Sequence, residues 1–356
     1  MNDSIRLRLE HKENQLAPYA VKVFNSKGRM LPEKPSLMRT DFQRDRDRIV
    51  HSKAFRRIKH KTQVFIAPKG DHYVTRLTHT LEVSQIARTI SRALNLNEDL
   101  TEAMSLAHDI GHTPFGHLGE ELLDQLYSQG FRHNEQSLKI VDRIEKNGKG
   151  LNLTYEVRQG ILHHSKPRGD FMDLSNAVND LSLESQVLRV SDAIAYLNHD
   201  LLDSFRANIL SEDMLPSDII RVLGDTHSKR INTMITDIVD DSLNHWQLTN
   251  AKDGFYISMS DHVKKAVNDL RQYMFHNVYL PEGETLEAKV AKDILILLFE
   301  YLSKNHDKIP IEYGLRSDSP EEAVIDYISG MTDNYAINMA ENIQPNIANV
   351  FRKGVF

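Results

Sequence analysis

Several titratable side chains stand close together in the stretch LAHDIGHTPFGHLGEE, which covers residues 106–121. It contains the adjacent pair His108-Asp109 and, after glycines and a proline, the pair His117 and Glu120. Because glycine and proline interrupt helices, we expect a turn between the two pairs. The side chains are then either surface polar residues beside a turn, or they converge on a charged group.

Two histidines and two aspartates of the chain could together hold a metal ion. His79 and the pair His108-Asp109 lie at predicted helix ends, and Asp192 lies in the apolar stretch QVLRVSDAIAYL. A buried carboxylate there needs a cation or strong donors nearby. Nitrogen and oxygen donors without sulfur suit Mn²⁺ or Mg²⁺, with Co²⁺, Ni²⁺, Fe²⁺ and Zn²⁺ as further candidates. The alternative is that the histidines cap helices or fill the core, with the aspartate on the surface.

His117 and Glu120 stand three residues apart and therefore share one face of a helix. Thr113 and Pro114 are predicted as the N-cap and the first residue of that helix. A carboxylate beside an imidazole orients the ring and raises its pKa, which suits proton transfer near neutral pH. The alternative is an ordinary histidine–glutamate pair on the helix surface.

Apolar residues recur at helical spacing around all of these positions. They predict helices over 79–94, 98–109 and 186–205, the second with Asn97 as its N-cap. Further helices are predicted near 228–245, 260–275, 286–303 and 319–330. The stretch TQVFIAPKGDHYVTR, with Pro-Lys-Gly-Asp as its turn, predicts a short β-hairpin. The expected fold class is all-α, with at most that hairpin.

The composition is that of a soluble globular protein with one large or two ordinary domains. The chain has 356 residues, of which 40% are hydrophobic and 26% charged, and it has no cysteine. The absence of cysteine excludes disulfides, thiolate metal sites and a cysteine nucleophile. No apolar run is long enough to span a bilayer, and the first residues have no apolar signal region. We therefore expect a cytoplasmic protein without a membrane partner.

A basic segment stands out against the net charge of −6. Between Arg44 and Lys61 the chain has eight arginines and lysines, against only Asp45 and Asp47. The overall charge argues against coating nucleic acid by bulk charge alone. It leaves room for a local basic site.

The order of several motifs resembles the deoxyguanosine-triphosphate triphosphohydrolase (dNTPase) family of HD-domain phosphohydrolases. His79, His108-Asp109 and Asp192 match the H…HD…D signature of HD domains. Over residues 40–205, stretches resemble the family's blocks in order: RDRDRIVHSKAFRRIKHKTQVF, GDHYVTRLTHTLEV, AHDIGHTPFGHLGEE, FRHNEQSL, TYEVRQGILHHS and VSDAIAYLNHD. VIDYISGMTDNYA resembles the family's C-terminal signature. The resemblance implies a mainly helical HD fold with these four residues as metal ligands. It also implies hydrolysis of a dNTP to deoxynucleoside and inorganic triphosphate.

The same resemblance implies roles around the reacting phosphate. It places a catalytic pair at His117 and Glu120 and a second active-site histidine at His133, and it leaves open whether His117 acts as acid or base. Arg76 resembles the arginine that meets the α-phosphate, since a planar guanidinium fits phosphate oxygens. The alternative for it is an arginine that leaves the hairpin into solvent. His112 is either a neighbour of the phosphate or base, or a loop histidine.

Other positions match substrate contacts of the family. Gln63 matches a position that contacts the sugar or base. Arg57 belongs to a basic run that is a triphosphate clamp, a solvated face or a subunit contact. The resemblance places Tyr196 on the deoxyribose and Asp200 at its 3′-hydroxyl, and the alternative is an ordinary wet helix face. His164 either lines the pocket or caps a helix.

The helix pattern predicts the domain organisation, and the resemblance implies partners. We expect residues 1–60 to form an N-terminal segment with the basic region, 61–210 the HD catalytic core, and 211–356 a C-terminal helical extension of the same unit. The family usually works as a homo-oligomer, often a hexamer, and an allosteric nucleotide and single-stranded nucleic acid are further candidate partners. Gln159 and Asn334 depart from the family pattern, which concerns substrate preference and regulation. Two other hypotheses stay open. One is an HD phosphohydrolase acting on dNMPs or on cyclic or oligomeric nucleotides, and the other is a nucleotide-sensing, nucleic-acid-binding protein.

Overall fold

The computed structural model describes residues 5–66, 72–165, 172, 181–248 and 254–352 of the chain. Within these ranges the regular structure is helical, which confirms the predicted all-α class. β-Structure in them is limited to two isolated antiparallel bridges, Arg29 with Thr154 and Thr62 with Thr75. The second bridge joins the two arms of the predicted hairpin, whose turn, residues 68–71, lies outside the described residues.

The α-helices, numbered in chain order, are α1 Ile5–Lys12, α2 Asp41–Val50, α3 Lys53–Arg57, α4 Arg76–Ala93, α5 Glu98–Ala107, α6 Gly116–Leu126, α7 His133–Lys139, α8 Glu145–Gly148, α9 Tyr155–His163, α10 Leu183–Arg206, α11 Ser217–Leu223, α12 His227–Leu248, α13 Asp261–Met274, α14 Leu280–Glu282, α15 Leu286–Lys304, α16 Ile311–Gly314, α17 Pro320–Ser329, α18 Asp333–Ile343 and α19 Asn349–Arg352. Two π-helical segments, Ile140–Ile144 and Phe275–Tyr279, follow α7 and α13. In the described part of the chain, no helix combines the length and apolar character that crossing a lipid bilayer requires.

The starts of three helices that carry site residues follow from local sequence. Asn97 accepts a hydrogen bond from the backbone N–H of Leu100 and caps α5, as predicted. Ser182 caps α10 in the same way. Helix α4 begins at Arg76, three residues before the predicted start, and His79 therefore lies in its first turn.

The predicted start of α6, with Thr113 as N-cap, is wrong. The helix begins at Gly116 and follows Phe115, which has a left-handed φ of 60°. The carboxylate of Asp333 accepts the backbone N–H of Phe115 at 3.0 Å, and the hydroxyl of Thr113 donates to the carbonyl oxygen of Gly116 at 2.9 Å. Because these two bonds stabilise a turn at residues 113–116, Thr113 does not cap a helix that begins at Pro114.

One compact unit consists of the described residues of Met1–Val50, Thr80–His108 and Asn152–Phe275. Helix α5 is central to this unit, since it packs against α2, α9 and α10. Every residue of α5 from Leu100 to Ala107 is buried except Glu102. Helix α10 packs in turn against α9 and α12. Helices α5, α9 and α10 thus pack together in this unit, and several predicted site residues lie in α10 or directly follow α5 and α9.

The other compact unit consists of the described residues of His51–His79, Asp109–Leu151 and His276–Phe356. Helix α15 is central to this unit and packs against α6, α17 and α18. Its buried leucines belong to a core that also contains Leu122 and Leu123 of α6. This packing holds the helix that carries His117 and Glu120. The predicted division at residues 60 and 210 stays a prediction.

Glu184, near the start of α10, is fully buried and accepts backbone hydrogen bonds from Val21 at 2.9 Å and Asn97 at 3.1 Å. Burial raises the pKa of its carboxyl from 4.5 to about 7. Because the folded chain binds this proton more tightly than the unfolded chain, the stabilisation is complete below pH 4.5 and is lost as pH rises through 7. The Glu184→Gln variant keeps an oxygen that accepts these hydrogen bonds but has no titrating carboxyl. We expect its unfolding free energy to change with pH by about 3 kcal/mol less than that of the wild type.

Urea unfolding of the wild type and the Glu184→Gln variant, from acidic to mildly alkaline pH, measures this difference. Glu212, an exposed glutamate, provides the control variant Glu212→Gln, for which we expect the pH dependence of the wild type. Parallel pH profiles for the wild type and Glu184→Gln would contradict the assignment.

Candidate functional site

Asp109 is buried in the second unit together with one arginine and two histidines that lie near its carboxylate. Its Oδ2 accepts a hydrogen bond from Nη1 of Arg76 at 2.6 Å and lies 3.7 Å from Nε2 of His79. Its Oδ1 lies 3.8 Å from Nε2 of His133. Imidazoles and a carboxylate in this arrangement provide donor atoms of the kind that bind first-row divalent metals.

Glu120 of α6 has three histidines around its carboxylate. Its Oε1 accepts hydrogen bonds from Nδ1 of His133 at 2.7 Å and from the backbone N–H of His133 at 2.9 Å. Its Oε2 lies 3.4 Å from Nδ1 of His117 and 3.6 Å from Nε2 of His112. The contact with His117 has the spacing that the sequence predicted. The shorter bond to His133 comes from a different helix and is not visible in any local pattern.

The charges of this group shift the pKa of three of its members. Burial would raise the pKa of Glu120, but the charge of His133 and hydrogen bonds from His117 and His133 lower it well below its usual range. Burial would lower the pKa of His133, but the charge and hydrogen bond of Glu120 raise it above its usual value. Burial and the charges of Arg76 and His133 lower the pKa of His112 well below that of an ordinary histidine. Glu120 is therefore a carboxylate held between imidazoles that differ in proton affinity.

His112, whose role the sequence left open, lies inside this cluster. Its ring stacks on that of His133 with centroids 4.6 Å apart. Its Nδ1 accepts the backbone N–H of Thr113 at 3.2 Å, so in the neutral ring the proton is on Nε2. That buried Nε2 has no hydrogen-bond partner among the described residues. It is a donor that an anionic ligand could use.

In the first unit, His108, His164 and Asp192 bring ligand atoms within 4.8 Å of one another. Nε2 of His108 lies 3.8 Å from Oδ1 of Asp192, and the rings of His108 and His164 are 4.9 Å apart, edge to face. Both histidines are buried, and Asp192 is partly exposed. The sequence predicted His108 and Asp192 as ligands but placed His164 only at the pocket wall or at a helix cap.

In each unit, taken by itself, the donor atoms are of a kind that fits a divalent metal ion. His108 and Asp109 are consecutive in the chain, and each lies near one further predicted ligand within its own unit. His108 is near Asp192, and Asp109 is near His79. All of these donors are nitrogen or oxygen, which suits Mn²⁺, Fe²⁺ or Co²⁺ better than a structural zinc site.

Tyr196 and Asp200, predicted at the sugar, lie one turn apart in α10. The hydroxyl of Tyr196 accepts a hydrogen bond from Nε of Arg271 at 3.2 Å, and the carboxylate of Asp200 lies 2.9 Å from Nδ1 of His199. Burial raises the pKa of the Tyr196 hydroxyl. No motif in the sequence singled out Arg271, which reaches Tyr196 from α13.

Two residues of the basic segment, and Gln63 just after it, belong to the second unit. Nζ of the buried Lys61 donates to the carbonyl oxygen of His112, and burial lowers its pKa to about 7. Nη1 of Arg57 donates to the carbonyl oxygen of Gly330 at 3.1 Å. Gln63 is buried, and its Oε1 has no hydrogen-bond partner in the described part of the chain. Gln63 therefore retains an acceptor that a ligand hydroxyl or amine could meet.

The arginines earlier in the basic segment form ion pairs within the first unit. Arg44 pairs with Glu33 at 2.7 Å and Arg46 pairs with Glu102 at 3.1 Å. Charges that are neutralised in this way contribute less to attraction of a nucleic acid than the sequence alone indicates.

Asp333 holds the turn before α6 from the far end of the chain. One carboxylate oxygen accepts the N–H of Phe115, and the other accepts the N–H of Thr62 at 2.9 Å.

The substitution Asp333→Asn replaces one of these two accepting oxygens by an amide nitrogen. The N–H groups of that amide would then face a backbone N–H instead of an acceptor. We expect the variant to lose about 1–3 kcal/mol of unfolding free energy. Urea unfolding measures this loss of free energy. Asn334 is the exposed neighbour of Asp333, and Asn334→Ala provides the control variant. Equal stability of both variants would contradict the role of Asp333.

Two family models match the chain. The HD domain matches residues 76–197, and the phosphohydrolase-associated domain matches residues 257–342. The first range contains the groups around Asp109 and Glu120 and the group of His108, His164 and Asp192, whereas Gln63 and the basic segment precede it.

Curated relatives match almost the whole chain. A deoxyguanosinetriphosphate triphosphohydrolase-like protein of Caldanaerobacter subterraneus subsp. tengcongensis is 51% identical over 92% of this chain and 91% of its own length. Proteins with the same name from Desulfatibacillum aliphaticivorans and Clostridium tetani are 48% and 46% identical, each over 96% of this chain and over 98% and 96% of their own lengths. On this similarity and on the HD-domain match, the chain belongs to the deoxyguanosinetriphosphate triphosphohydrolase-like family of HD-domain phosphohydrolases.

Proposed function

We propose that this phosphohydrolase is a metal-dependent dNTP triphosphohydrolase. It takes a deoxynucleoside triphosphate, with dGTP as the first candidate, and releases deoxynucleoside and inorganic triphosphate. The observation that carries the proposal is the pair of clusters on Asp109 and Glu120, in a chain whose relatives carry the dGTP triphosphohydrolase-like name. Such clusters combine cationic donors for a phosphate with imidazoles that can move protons.

The reaction replaces one bond to the α-phosphorus by another. An oxygen of water forms the new bond to phosphorus, and the bond from phosphorus to the 5′-oxygen of the sugar breaks. One proton leaves the attacking water, and one reaches the departing 5′-oxygen. The products are deoxynucleoside and triphosphate, so no further reactant is needed.

We assign the metal ion to His79, His108, Asp109 and Asp192. The assignment rests on the H…HD…D motif, on the peptide bond between His108 and Asp109, and on one short approach within each unit. A divalent ion held by these residues would neutralise phosphate charge and would lower the pKa of a water molecule.

Arg76 is the first candidate for binding the α-phosphate. Its guanidinium is buried and is oriented by the 2.6 Å hydrogen bond to Asp109, so the planar group is held in one position before substrate arrives. A fixed guanidinium suits the charge that develops on phosphate oxygens. His112, with its proton on the buried Nε2, is a second donor for the same anion.

The group of Glu120, His117 and His133 handles protons in this proposal. Glu120 contacts His133 and His117 through the Nδ1 of each ring, and in this proposal Nε2 is the nitrogen that exchanges a proton with the reactants. His117 is largely exposed and His133 is buried, so the two imidazoles meet water to different extents. Their shared carboxylate couples the two steps of proton removal and proton delivery.

The sugar and base contacts are assigned to Tyr196, Asp200 and Gln63. A tyrosine ring fixed by Arg271 is rigid enough to exclude a 2′-hydroxyl, and the buried carboxylate of Asp200 can accept a 3′-hydroxyl. Gln63 can accept a hydrogen bond from the sugar or the base through its amide oxygen. The contact of Arg57 with a triphosphate, the homo-oligomer, the allosteric nucleotide and the single-stranded nucleic acid stay predictions.

A panel of nucleotides tests the reaction class. Purified protein is incubated with Mn²⁺ and each dNTP, alone and in pairs, and separately with dNMPs and with cyclic and oligomeric nucleotides. The products are separated by anion-exchange chromatography. We expect deoxynucleoside and triphosphate in equal amounts. Release of pyrophosphate, or of orthophosphate alone, would contradict the proposal. Activity restricted to dNMPs or to cyclic or oligomeric nucleotides would support the other HD phosphohydrolase hypothesis.

A further inference from the structure

His164 is a buried histidine directly after α9, and one of its ring nitrogens has a fixed role. Its Nδ1 is 2.7 Å from the carbonyl oxygen of Ile161. Because a carbonyl oxygen can only accept, Nδ1 carries the proton in the neutral ring. The other nitrogen, Nε2, is then unprotonated and is the ring atom that can bind a metal ion.

His108 has the same arrangement directly after α5. Its Nδ1 is 2.6 Å from the carbonyl oxygen of Ser105, three residues earlier, as in His164 and Ile161. Nε2 of His108 thus also presents a lone pair, and it lies 3.8 Å from Oδ1 of Asp192. Histidines that bind metals are commonly oriented in this way, with the second ring nitrogen donating to a backbone carbonyl.

One ligand atom of each histidine and one of Asp192 lie within 4.8 Å of one another. Imidazole nitrogens and a carboxylate oxygen at this mutual distance form a donor set of the kind that binds a first-row divalent ion. The ends of α5 and α9 also favour a cation, because the C-terminal end of a helix carries partial negative charge and stabilises a cation. The packing of α5 and α9 against each other and against α10 holds all three groups in place.

We infer that His164 is a metal ligand, which binds the divalent ion through Nε2 together with His108 and Asp192. The ligand set of this chain is then one imidazole larger than the H…HD…D motif. His164 takes this role instead of the substrate contact predicted from sequence. The inference rests on the proposed metal site but not on the dNTP reaction, because metal binding is measured without nucleotide.

The direct test is a crystal structure of the full chain soaked in Mn²⁺, with manganese located by its anomalous scattering. We expect Nε2 of His164 at about 2.2 Å from the manganese, like the nitrogen of His108. A manganese bound by His108 and Asp192 with Nε2 of His164 beyond about 2.5 Å would overturn the inference. This measurement uses the wild type and does not depend on how any variant folds.

A pair of variants gives an independent test in solution. His163, the exposed neighbour of His164, allows a matched comparison of His164→Gln with His163→Gln. Calorimetric titration of chelator-stripped protein with Mn²⁺ should show binding weakened at least about 10-fold for His164→Gln, and unchanged for His163→Gln. Equal affinities would overturn the inference. Thermal unfolding without metal establishes that both variants are folded.

The two proposals fail in different ways. Manganese on His164 in a protein that releases no triphosphate from any dNTP would leave this inference standing and remove the proposed function. Triphosphate release by a protein whose manganese does not contact His164 would leave the proposed function standing and overturn this inference.

Discussion

Asp109→Asn is expected to lower triphosphate release at least about 10³-fold, because several kcal/mol of charge stabilisation at the phosphate depend on this carboxylate. Asparagine keeps the size of the side chain but not its charge. The guanidinium of Arg76, buried and paired with Asp109 at 2.6 Å, is then left with a weaker partner. His79 and His133, both within 3.8 Å of the same carboxylate, lose the charge that they face.

Two measurements check this result. The first is the rate of triphosphate release from dGTP with Mn²⁺, and the second is the Mn²⁺ content of the purified variant after dialysis. Asp307, an exposed aspartate, provides the control Asp307→Asn, which should match the wild type in both. An Asp109→Asn variant that keeps full Mn²⁺ content and a rate within tenfold of wild type would remove Asp109 from the site.

Glu120→Gln is expected to lower kcat by about 10²–10⁴-fold with little change in KM, the range observed when a general acid–base group is lost. Glutamine still accepts a hydrogen bond, but its neutral amide cannot stabilise a protonated His133 or hold three imidazoles around one charge. The 2.7 Å bond from Nδ1 of His133 and the 3.4 Å approach of His117 both end on this carboxylate.

Glu121 provides a matched control for this substitution. It follows Glu120 in the same helix and is exposed, so Glu121→Gln changes the same chemical group without touching the cluster. Steady-state kinetics with dGTP separate kcat from KM for both variants. Equal kcat values for Glu120→Gln and Glu121→Gln would contradict the proton-handling role.

Local sequence patterns predict several of the longer helices well, because the apolar face and the caps of a helix lie within a few residues of each other. Asn97 as the cap of α5 is one example, and the helix of Asp192 is another, predicted over 186–205 and observed at Leu183–Arg206. The start of α6 could not be predicted in this way. It depends on Asp333, which lies 218 residues from the Phe115 N–H that it accepts.

The same limit applies to the candidate site. The spacing of His117 and Glu120 reveals their contact, since both lie on one helix face. The shorter bond from Glu120 to His133 joins two helices, and no periodicity contains it. His164 was singled out only as one of two adjacent histidines, and its approach to His108 results from the packing of α5 on α9. Contacts between helices therefore supply the details that motifs alone leave open.

Hydrolysis of dGTP in ¹⁸O-labelled water, with the products analysed by mass spectrometry, tests the central claim most directly. Attack of water on the α-phosphorus predicts one ¹⁸O atom in each released triphosphate and none in deoxyguanosine. Label in the 5′-hydroxyl of deoxyguanosine, or pyrophosphate and dGMP as the first products, would contradict the account.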